Sequence, residues 1–403
     1  MSSQPGAGRN TALTFGIEIE FCVASLDSGY EDPHPHATPQ FRDLDKYLNH
    51  PKVPNDCTEE QAVEWKMWFV QLRIAEALSA AGYRAVTEKE IDDMNGRYPE
   101  DERLSHWIVT SDVSLRLPNT DLKYEWYNIE VNSPAYYFNP AAVDEVKKVC
   151  NFLKANFRIH INNSMGVHIH VGDGKNGLEA YHLRSLMATL FVFEPQLDTL
   201  HPKHRIGRNF YCKPLNTESR LGKKSVLSKD QIPNPKTKRQ ILEELLQMDD
   251  RQDILYSMMA GDDKNGSKLA YNVSNLLGRE SKRTIEFRQH ESTLDANRIA
   301  AWIELCVALV EVPLRESRES LEALLRDHVD DTVEEFDVIK VLLVLNLPVS
   351  ADFYDARFYT SWVNAGRTLR IAGSETSSET SGYTSCQPGS QPSSQPPSET
   401  EPE

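Results

Sequence analysis

The chain has 403 residues, enough for one large domain or two ordinary ones. Its hydrophobic fraction of 39% supports a core of moderate size, and its formal charge of −16 argues against a nucleic-acid or membrane-surface binder, which would need a basic patch. Its six cysteines contain no CxxC pair, which excludes zinc-ribbon and disulfide-scaffold arrangements and indicates free thiols.

The two ends of the chain differ in composition from the middle. The first residues are polar, so we expect residues 1–12 to be flexible and to carry no secretory signal. No stretch approaches the roughly 18 apolar residues of a membrane span, and we expect a cytoplasmic protein. Residues 373–403 are rich in Ser, Pro and Glu and lack Lys and Arg, which predicts a disordered tail. A single domain with C-terminal helices is therefore predicted over residues 13–372.

The first half of the chain alternates irregularly between predicted strands and helices. Thr58-Glu-Glu-Gln61 fits a capping box, and the helix that it begins should end at Gly82. Before it, residues 27–56 are rich in Pro and His and are predicted to form a long loop. The further predictions are strands at residues 83–87, 107–115, 126–131 and 166–171, and helices at residues 140–157 and 178–200.

The second half begins with residues 201–265, which are polar and are predicted to be irregular. Strands are predicted at residues 270–277 and 283–290, and Asp295 can cap the helix that follows. Further helices are predicted at residues 316–328 and 332–345. Because strands and helices interleave without a regular βαβ rhythm, the sequence favours an α+β fold with a largely antiparallel sheet.

Two carboxylates alternate on the first predicted strand. Glu18 and Glu20 lie in Thr14-Phe-Gly-Ile-Glu-Ile-Glu-Phe-Cys22, and alternate side chains of a strand project to one face, about 7 Å apart. They would repel each other unless a cation bridged them, and oxygen ligands of this kind suit Mg²⁺ or Mn²⁺. The alternative interpretation is a solvated acidic face.

Two imidazoles share one face of a later strand. His168 and His170 alternate in Gly166-Val-His-Ile-His-Val171. A neutral imidazole suits Mn²⁺ or Zn²⁺ and can also donate a hydrogen bond to phosphate. A catalytic zinc site takes three protein ligands, so this pair can supply two, with Glu130 or Glu286 as the third. The alternative is a pair of structural histidines.

The last predicted strand carries an acid and a base two residues apart. Glu286 and Arg288 lie in Arg283-Thr-Ile-Glu-Phe-Arg-Gln-His290. Arg288 can neutralise Glu286 in a simple salt bridge. The sharper hypothesis places Glu286 on a cation and Arg288 against a phosphoryl group, because a guanidinium fork matches the geometry and developing charge of phosphate.

The order of these motifs resembles the carboxylate–amine ligase superfamily, which includes glutamine synthetase and the glutamate–cysteine ligases. Within it the chain is most similar to the amidoligase family that is abundant in fungi. The similarity extends from about residue 13 to residue 310. It is carried by residues 15–20, 107–115, 129–134, 166–170, 275–276, 284–290 and 292–295. The resemblance implies a curved, largely antiparallel sheet of the glutamine synthetase type, surrounded by helices.

The resemblance also implies an activity: an ATP-dependent ligase that joins a small-molecule or peptide carboxylate to an amine through an acyl phosphate. By position, His170 would contact the nucleotide phosphates, and Arg288 would stabilise the transferring phosphoryl group beside a catalytic Glu286. The ligands of Mg²⁺ or Mn²⁺ would be Glu18, Glu20, Glu130, His168 and Glu286. The prediction of ATP as a cofactor rests on the resemblance alone, because the sequence contains no Walker-type glycine-rich loop.

Two further sites are hypotheses. The run His201-Pro-Lys-His-Arg205-Ile-Gly-Arg208 concentrates basic side chains in an acidic protein, so Arg205 and Arg208 could hold a cofactor phosphate or a substrate carboxylate. A solvated basic loop is the alternative. Asp112 and Ser114 match an Asp-x-Ser pattern of the family and would orient the substrate amine, unless they only form hydrogen bonds at a strand end.

Two other functions remain compatible with the motifs. A metal-dependent hydrolase could use the HxH pair and the carboxylates to activate water. A non-catalytic scaffold could retain the ligase fold. ADP release that depends on an acid and an amine would identify the ligase, and the sequence predicts neither the substrates nor the oligomeric state.

Overall fold

The structure is a computed structural model. It describes residues 13–26, 29–35, 41–42, 53–54, 56–94, 96–119, 123–174, 176–207, 211–226, 235–261, 268–277 and 282–364. The chain divides into two compact units, residues 1–357 and 358–403. In the second unit the description covers only the end of the last helix. The predicted flexible N-terminus, the domain boundary at residue 373 and the predicted tail all lie outside the described residues.

A single sheet holds ten strands within the described residues. In chain order they are β1 (Thr14–Leu26), β2 (Phe41–Arg42), β3 (Ala85–Thr87), β4 (Trp107–Thr110), β5 (Glu125–Asn132), β6 (Tyr136–Tyr137), β7 (Ile159–His160), β8 (Gly166–Gly172), β9 (Tyr271–Asn272) and β10 (Ile285–Glu291). The main path runs β3-β4-β5-β1-β8-β10-β9, and β2, β6 and β7 add to β1.

The sheet is mixed but mostly antiparallel. Only the β1–β2 and β3–β4 pairs are parallel among the described strands. The long strand β1 lies in the middle, with β5 on one side and β8 on the other. This arrangement confirms the predicted α+β class and the largely antiparallel pairing, whereas the specific glutamine synthetase-like arrangement and the curvature of the sheet stay predictions.

Thirteen α-helices lie in the described residues. They are α1 (Glu59–Ala80), α2 (Glu88–Asp92), α3 (Glu100–Arg103), α4 (Pro140–Asn156), α5 (Ala180–Asp198), α6 (Leu215–Glu218), α7 (Lys223–Val226), α8 (Lys238–Leu246), α9 (Arg251–Met258), α10 (Ala296–Arg315), α11 (Arg318–His328), α12 (Val338–Val344) and α13 (Pro348–Asn364). None of the described helices is long and apolar enough to cross a membrane.

One face of the sheet forms the core. Alternate residues of β1, including Phe15, Ile17 and Ile19, are buried in one hydrophobic cluster with residues of α4, α5 and α10. The period of two therefore sends Glu18 and Glu20 to the opposite face of the same strand. The apolar neighbours of the two acids thus pack against helices, while the acids themselves are directed away from that core.

The predicted starts of several helices are confirmed. The Thr58 side chain accepts a hydrogen bond from the backbone of Gln61, whose own side chain accepts one from the Thr58 backbone. Asp295 caps α10 through the backbone N–H groups of Asn297 and Arg298. In both places a short polar side chain satisfies backbone donors that have no partner inside the helix.

The prediction of irregular structure over residues 201–265 was wrong in part, because α6, α7, α8 and α9 lie there. The start of α8 carries a capping box formed by Thr237 and Gln240, and its residues Ile241, Leu242 and Leu245 are buried. The surrounding Lys and Arg residues obscured this short apolar face, which helices of fewer than ten residues reveal only weakly.

The strand predicted over residues 107–115 is shorter than expected. β4 ends at Thr110, because the Asp112 carboxylate accepts a hydrogen bond from the Ser114 N–H at 2.7 Å and turns the chain. Similarly, the strand predicted over residues 270–277 is reduced to β9 and a 3₁₀ turn at Ser274–Leu276.

Candidate cation and phosphate site

Strand register places the two acids of β1 opposite other polar side chains. Glu18 on β1 faces His168 on β8, and Glu20 on β1 faces Glu130 on β5. Directly opposed side chains of antiparallel strands lie about 5 Å apart. Residues that are far apart in the sequence therefore share one patch of the sheet.

The neighbouring strand β10 extends this patch. Glu286 on β10 faces His170 on β8 on one side and Asn272 on β9 on the other. The structure thus brings together all of the metal-ligating residues predicted from the sequence, together with the predicted phosphate contact His170: Glu18, Glu20, Glu130, His168, His170 and Glu286.

One possible cation site consists of Glu18, His170 and Glu286, each of which offers a ligand atom within 4.8 Å of the others. The His170 Nε2 atom lies 2.9 Å from a Glu18 oxygen. Lys282 Nζ lies 2.6 Å from the Glu18 carboxylate. The ammonium group of Lys282 therefore already compensates part of the negative charge of Glu18 and Glu286. The sequence predicts a phosphate contact for His170 and gives no signal for Lys282.

A second possible cation site consists of Glu20, Asp112 and Glu130, again with ligand atoms within 4.8 Å. Asp112 is the unexpected member, since the Asp-x-Ser pattern predicts either a contact with the substrate amine or a hydrogen bond at a strand end, and no cation ligand. It lies beyond the end of β4, where strand periodicity no longer predicts the direction of a side chain. The backbone carbonyl of Asp112 accepts a hydrogen bond from the Asn128 side chain, which anchors the turn.

His168 lies between the two groups. Its Nδ1 atom is 3.3 Å from a Glu18 oxygen and 3.5 Å from a Glu286 oxygen. Its Nε2 atom is 3.7 Å from a Glu20 oxygen. The imidazole is buried, so it is held where it can serve either group of carboxylates.

The acids of this patch differ in how far nearby positive charge compensates them. Burial, together with the negative charge of Glu18, raises the pKa of Glu130 to about 8. Burial also raises the pKa of Glu18, but His170 and Lys282 outweigh it, so the pKa of Glu18 lies well below its usual value. Glu130 is therefore protonated near neutral pH, and a divalent cation that bound there would displace its proton.

Hydrogen bonds from uncharged groups fix the acids in place. The Asn272 side chain donates to Glu286 at 2.7 Å, and the Asn132 side chain donates to Glu130 at 2.9 Å. The Gly166 backbone N–H donates to Glu20 at 2.6 Å. Such outer contacts orient ligating carboxylates. The two asparagines were not identified from the sequence, because a lone Asn in a strand has no distinguishing spacing.

Two arginines border the acids, the partly buried Arg288 and the buried Arg205. Arg288 is paired with Glu286, as the sequence allowed, and its Nε donates to the Tyr211 carbonyl at 3.1 Å. Arg205 donates to the carbonyl of Arg288 at 2.6 Å and is only 2% exposed. Arg205 is therefore buried beside the acids and is not a solvated loop residue. Arg208 lies outside the described residues.

A cavity of about 420 Å³ adjoins the second acidic group. Its lining includes Glu130 and Asn132 on β5, Asp112 beyond the end of β4, Glu88 and Arg103 on α2 and α3, and Lys282. Ligand pockets commonly have volumes of roughly 300–1,000 Å³. The cavity thus offers room for a small polar molecule beside the acids, on the side away from Arg205.

Comparison with known protein families identifies a match. A family model described as "Putative amidoligase enzyme" matches residues 11–310, which is more than half of the chain. The match covers every predicted site residue, from Glu18 to Arg288. No curated protein matches the chain significantly.

Proposed function

The chain belongs to this amidoligase family, a family of ligase-type enzymes, and from that premise we propose that it is an ATP-dependent carboxylate–amine ligase. In the proposed reaction a carboxylate oxygen of the acid attacks the γ-phosphorus of ATP, and ADP leaves. The nitrogen of a neutral amine then attacks the acyl carbon, inorganic phosphate leaves, and the amine loses one proton. The product is an amide.

The convergence of two acidic groups on one sheet face carries this proposal. Five buried or partly buried carboxylates and two imidazoles are costly together unless cations compensate them. Oxygen-rich donor sets with imidazole suit Mg²⁺ or Mn²⁺. The donors fit divalent cations: Glu18, His170 and Glu286 for one, and Glu20, Asp112 and Glu130 for another. When bound, such ions neutralise phosphate charge.

The basic side chains divide the site into two ends. Arg288 and Arg205 lie at the β10 end, where guanidinium groups suit the oxygens of a transferring phosphoryl group. Asp112 lines the cavity at the other end, where an amine would approach and give up its proton. The phosphate and the amine would therefore meet over β1 and β5.

Calorimetry with Mg-ATP tests the proposal on Glu20→Gln and Glu286→Gln variants of the full chain. The amide oxygen that Glu20→Gln introduces can still accept the Gly166 N–H bond, so we expect this variant to fold. Both variants should bind Mg-ATP at least about 10–100-fold more weakly, the range seen when residues supporting a metal site are changed. Glu125→Gln, at the exposed start of β5, is the matched control. Unchanged binding in both site variants would refute the assignment.

A turnover assay distinguishes the ligase from the two alternatives. ADP formation is measured with Mg-ATP and pooled amino acids, peptides and polyamines. A ligase forms ADP only when both an acid and an amine are present. Turnover of amides or phosphoesters without nucleotide would identify a hydrolase instead, and absence of Mg-ATP binding would favour the scaffold.

A further inference from the structure

The cavity beside Glu130 extends across the sheet along a row of aligned residues. Glu20 on β1 pairs with Glu130 on β5, and Glu130 pairs with Thr110 on β4. Thr87, the last residue of β3, pairs with Val109 on β4, and Glu88 begins α2 directly after it, near the level of Thr110. Adjacent strands lie about 4.8 Å apart, so Glu88 is roughly 10 Å from Glu130 across the sheet.

The two ends of the cavity differ in charge. At the outer end Arg103 donates from Nη2 to Glu88 at 2.6 Å, and their side chains are 44% and 29% exposed. This is the only partner of the Arg103 guanidinium among the described residues. A guanidinium has five N–H donors, so Arg103 can keep Glu88 and still bind a second carboxylate.

The inner end presents acceptors. Asp112, Glu130 and Asn132 line it, and Lys282, whose ammonium group is paired with Glu18, borders it. The Asn132 side-chain oxygen is buried and has no hydrogen-bond partner among the described residues, while its nitrogen donates to Glu130. A buried acceptor without a partner costs free energy until a donor reaches it. An amino group, which carries only N–H donors, matches this end.

We propose that the cavity binds the amine substrate as a zwitterion, with its amino group toward the Asn132 oxygen, beside the Asp112 carboxylate that would hold a cation, and its carboxylate on Arg103. The inference rests on the proposed ligase function, in which an amine must enter beside the acids. A polyamine would be repelled by the positive charge of Arg103. A second anionic phosphate would be repelled by the three acids that line the cavity, Glu88, Asp112 and Glu130. A molecule that carries both charges, such as an amino acid or a short peptide, satisfies both ends.

A series of ω-amino acids measures the span between the two ends. The probes are glycine, β-alanine, γ-aminobutyrate, δ-aminovalerate and ε-aminocaproate, each compared with the n-alkylamine of equal chain length. Binding to the full chain with Mg²⁺ is followed by ligand-observed NMR. We expect the amino acids to bind more tightly than their alkylamines, with one preferred length.

Substitution of Arg103 identifies the carboxylate end. Arg103→Met should weaken amino-acid binding at least about tenfold and leave alkylamines unchanged, because it removes a charge-assisted hydrogen bond. Arg103→Lys keeps the positive charge but loses the planar guanidinium group. Its affinity for amino acids should lie between those of the unchanged chain and of Arg103→Met. Arg73→Met is the matched control, since Arg73 forms a comparable surface pair with Glu76 at 2.7 Å on α1 and does not line the cavity.

Three results would overturn the inference: no binding by any member of the series, equal binding of amino acids and alkylamines, or unchanged amino-acid binding in Arg103→Met. Calorimetry with Mg-ATP on the same preparations reports the proposed function separately. Mg-ATP binding without zwitterion binding refutes only the substrate assignment, whereas zwitterion binding without Mg-ATP binding refutes only the ligase.

Discussion

Gly166 shows how one missing side chain shapes the patch of acids. A Cβ atom at this position would lie 2.5 Å from Arg205 Nη2 and 2.9 Å from His168 Nε2. Both neighbours are buried, so neither can move without disturbing other contacts. The glycine therefore permits a guanidinium and an imidazole to lie against the backbone of β8.

We expect Gly166→Ala to lower the free energy of unfolding by about 1–3 kcal/mol, the usual cost of overpacking. It should also weaken Mn²⁺ binding, because His168 must shift. Urea unfolding and Mn²⁺ titration measure the two effects. Gly16→Ala on β1 is the control, since its added Cβ would meet its nearest neighbours at 3.8 Å. Equal losses in the two variants would contradict the close approach described here.

His290 gives the protein a defined sensitivity to acid. Burial lowers its pKa to about 4, compared with about 6.5 in an unfolded chain. Below pH 6.5 the unfolded chain therefore takes up a proton that the folded chain does not, and stability falls until the pH reaches about 4. The difference between the two pKa values of His290 corresponds to a loss of about 3 kcal/mol in the free energy of unfolding.

We predict that His290→Gln reduces the loss of unfolding free energy between about pH 6.5 and pH 4 by up to about 3 kcal/mol. Urea unfolding at a series of pH values measures the slope. His182→Gln, in the partly exposed first turn of α5, is the control. A slope that does not change in the His290 variant would show that other groups carry the acid sensitivity.

At the level of residues, much of the site could be predicted from the sequence. The alternation of Glu18 with Glu20 and of His168 with His170 fixed their shared faces, because strand geometry is local. Asp112 could not be assigned as a cation ligand in this way. Its position depends on a turn and on the contact with Asn128, and neither has a sequence period.

At the level of elements, the starts of capped helices could be predicted from the sequence, whereas the shortest strands could not. Thr58 and Asp295 were identified because an N-cap side chain bonds to residues only two or three positions away. β6 and β7 have two residues each and exist only as partners of β1. Pairing between distant segments leaves too little local pattern to predict such strands.

We expect Asp295→Ala to lower the free energy of unfolding by about 1 kcal/mol, the typical cost of losing an N-cap. Asp295 accepts hydrogen bonds from two backbone N–H groups at the start of α10, which packs on α4, α5 and β8. Asp295→Asn, which can still cap, serves as the control. An equal loss in both variants, measured by urea unfolding, would assign the effect to charge rather than to the cap.

At the level of the whole molecule, the tail prediction rests on composition alone. Residues 374–403 have no Lys or Arg and few apolar side chains, so we expect their deletion to leave the melting temperature nearly unchanged. Thermal unfolding of the shortened and full-length chains tests this. A fall of many degrees would show that the tail packs against the folded part.

The central position of β1 has a consequence for biosynthesis. Glu18 leaves the ribosome 150 residues before His168 and 264 residues before Lys282. At translation rates of about 5–20 residues per second, the nascent strand waits on the order of ten seconds or more for its neighbours. Both of its edges are unpaired until β5 emerges, and the edge that pairs with β8 stays unpaired for the whole interval. Ribosome-bound chaperones should therefore matter more for the yield of this protein than for one built from local hairpins.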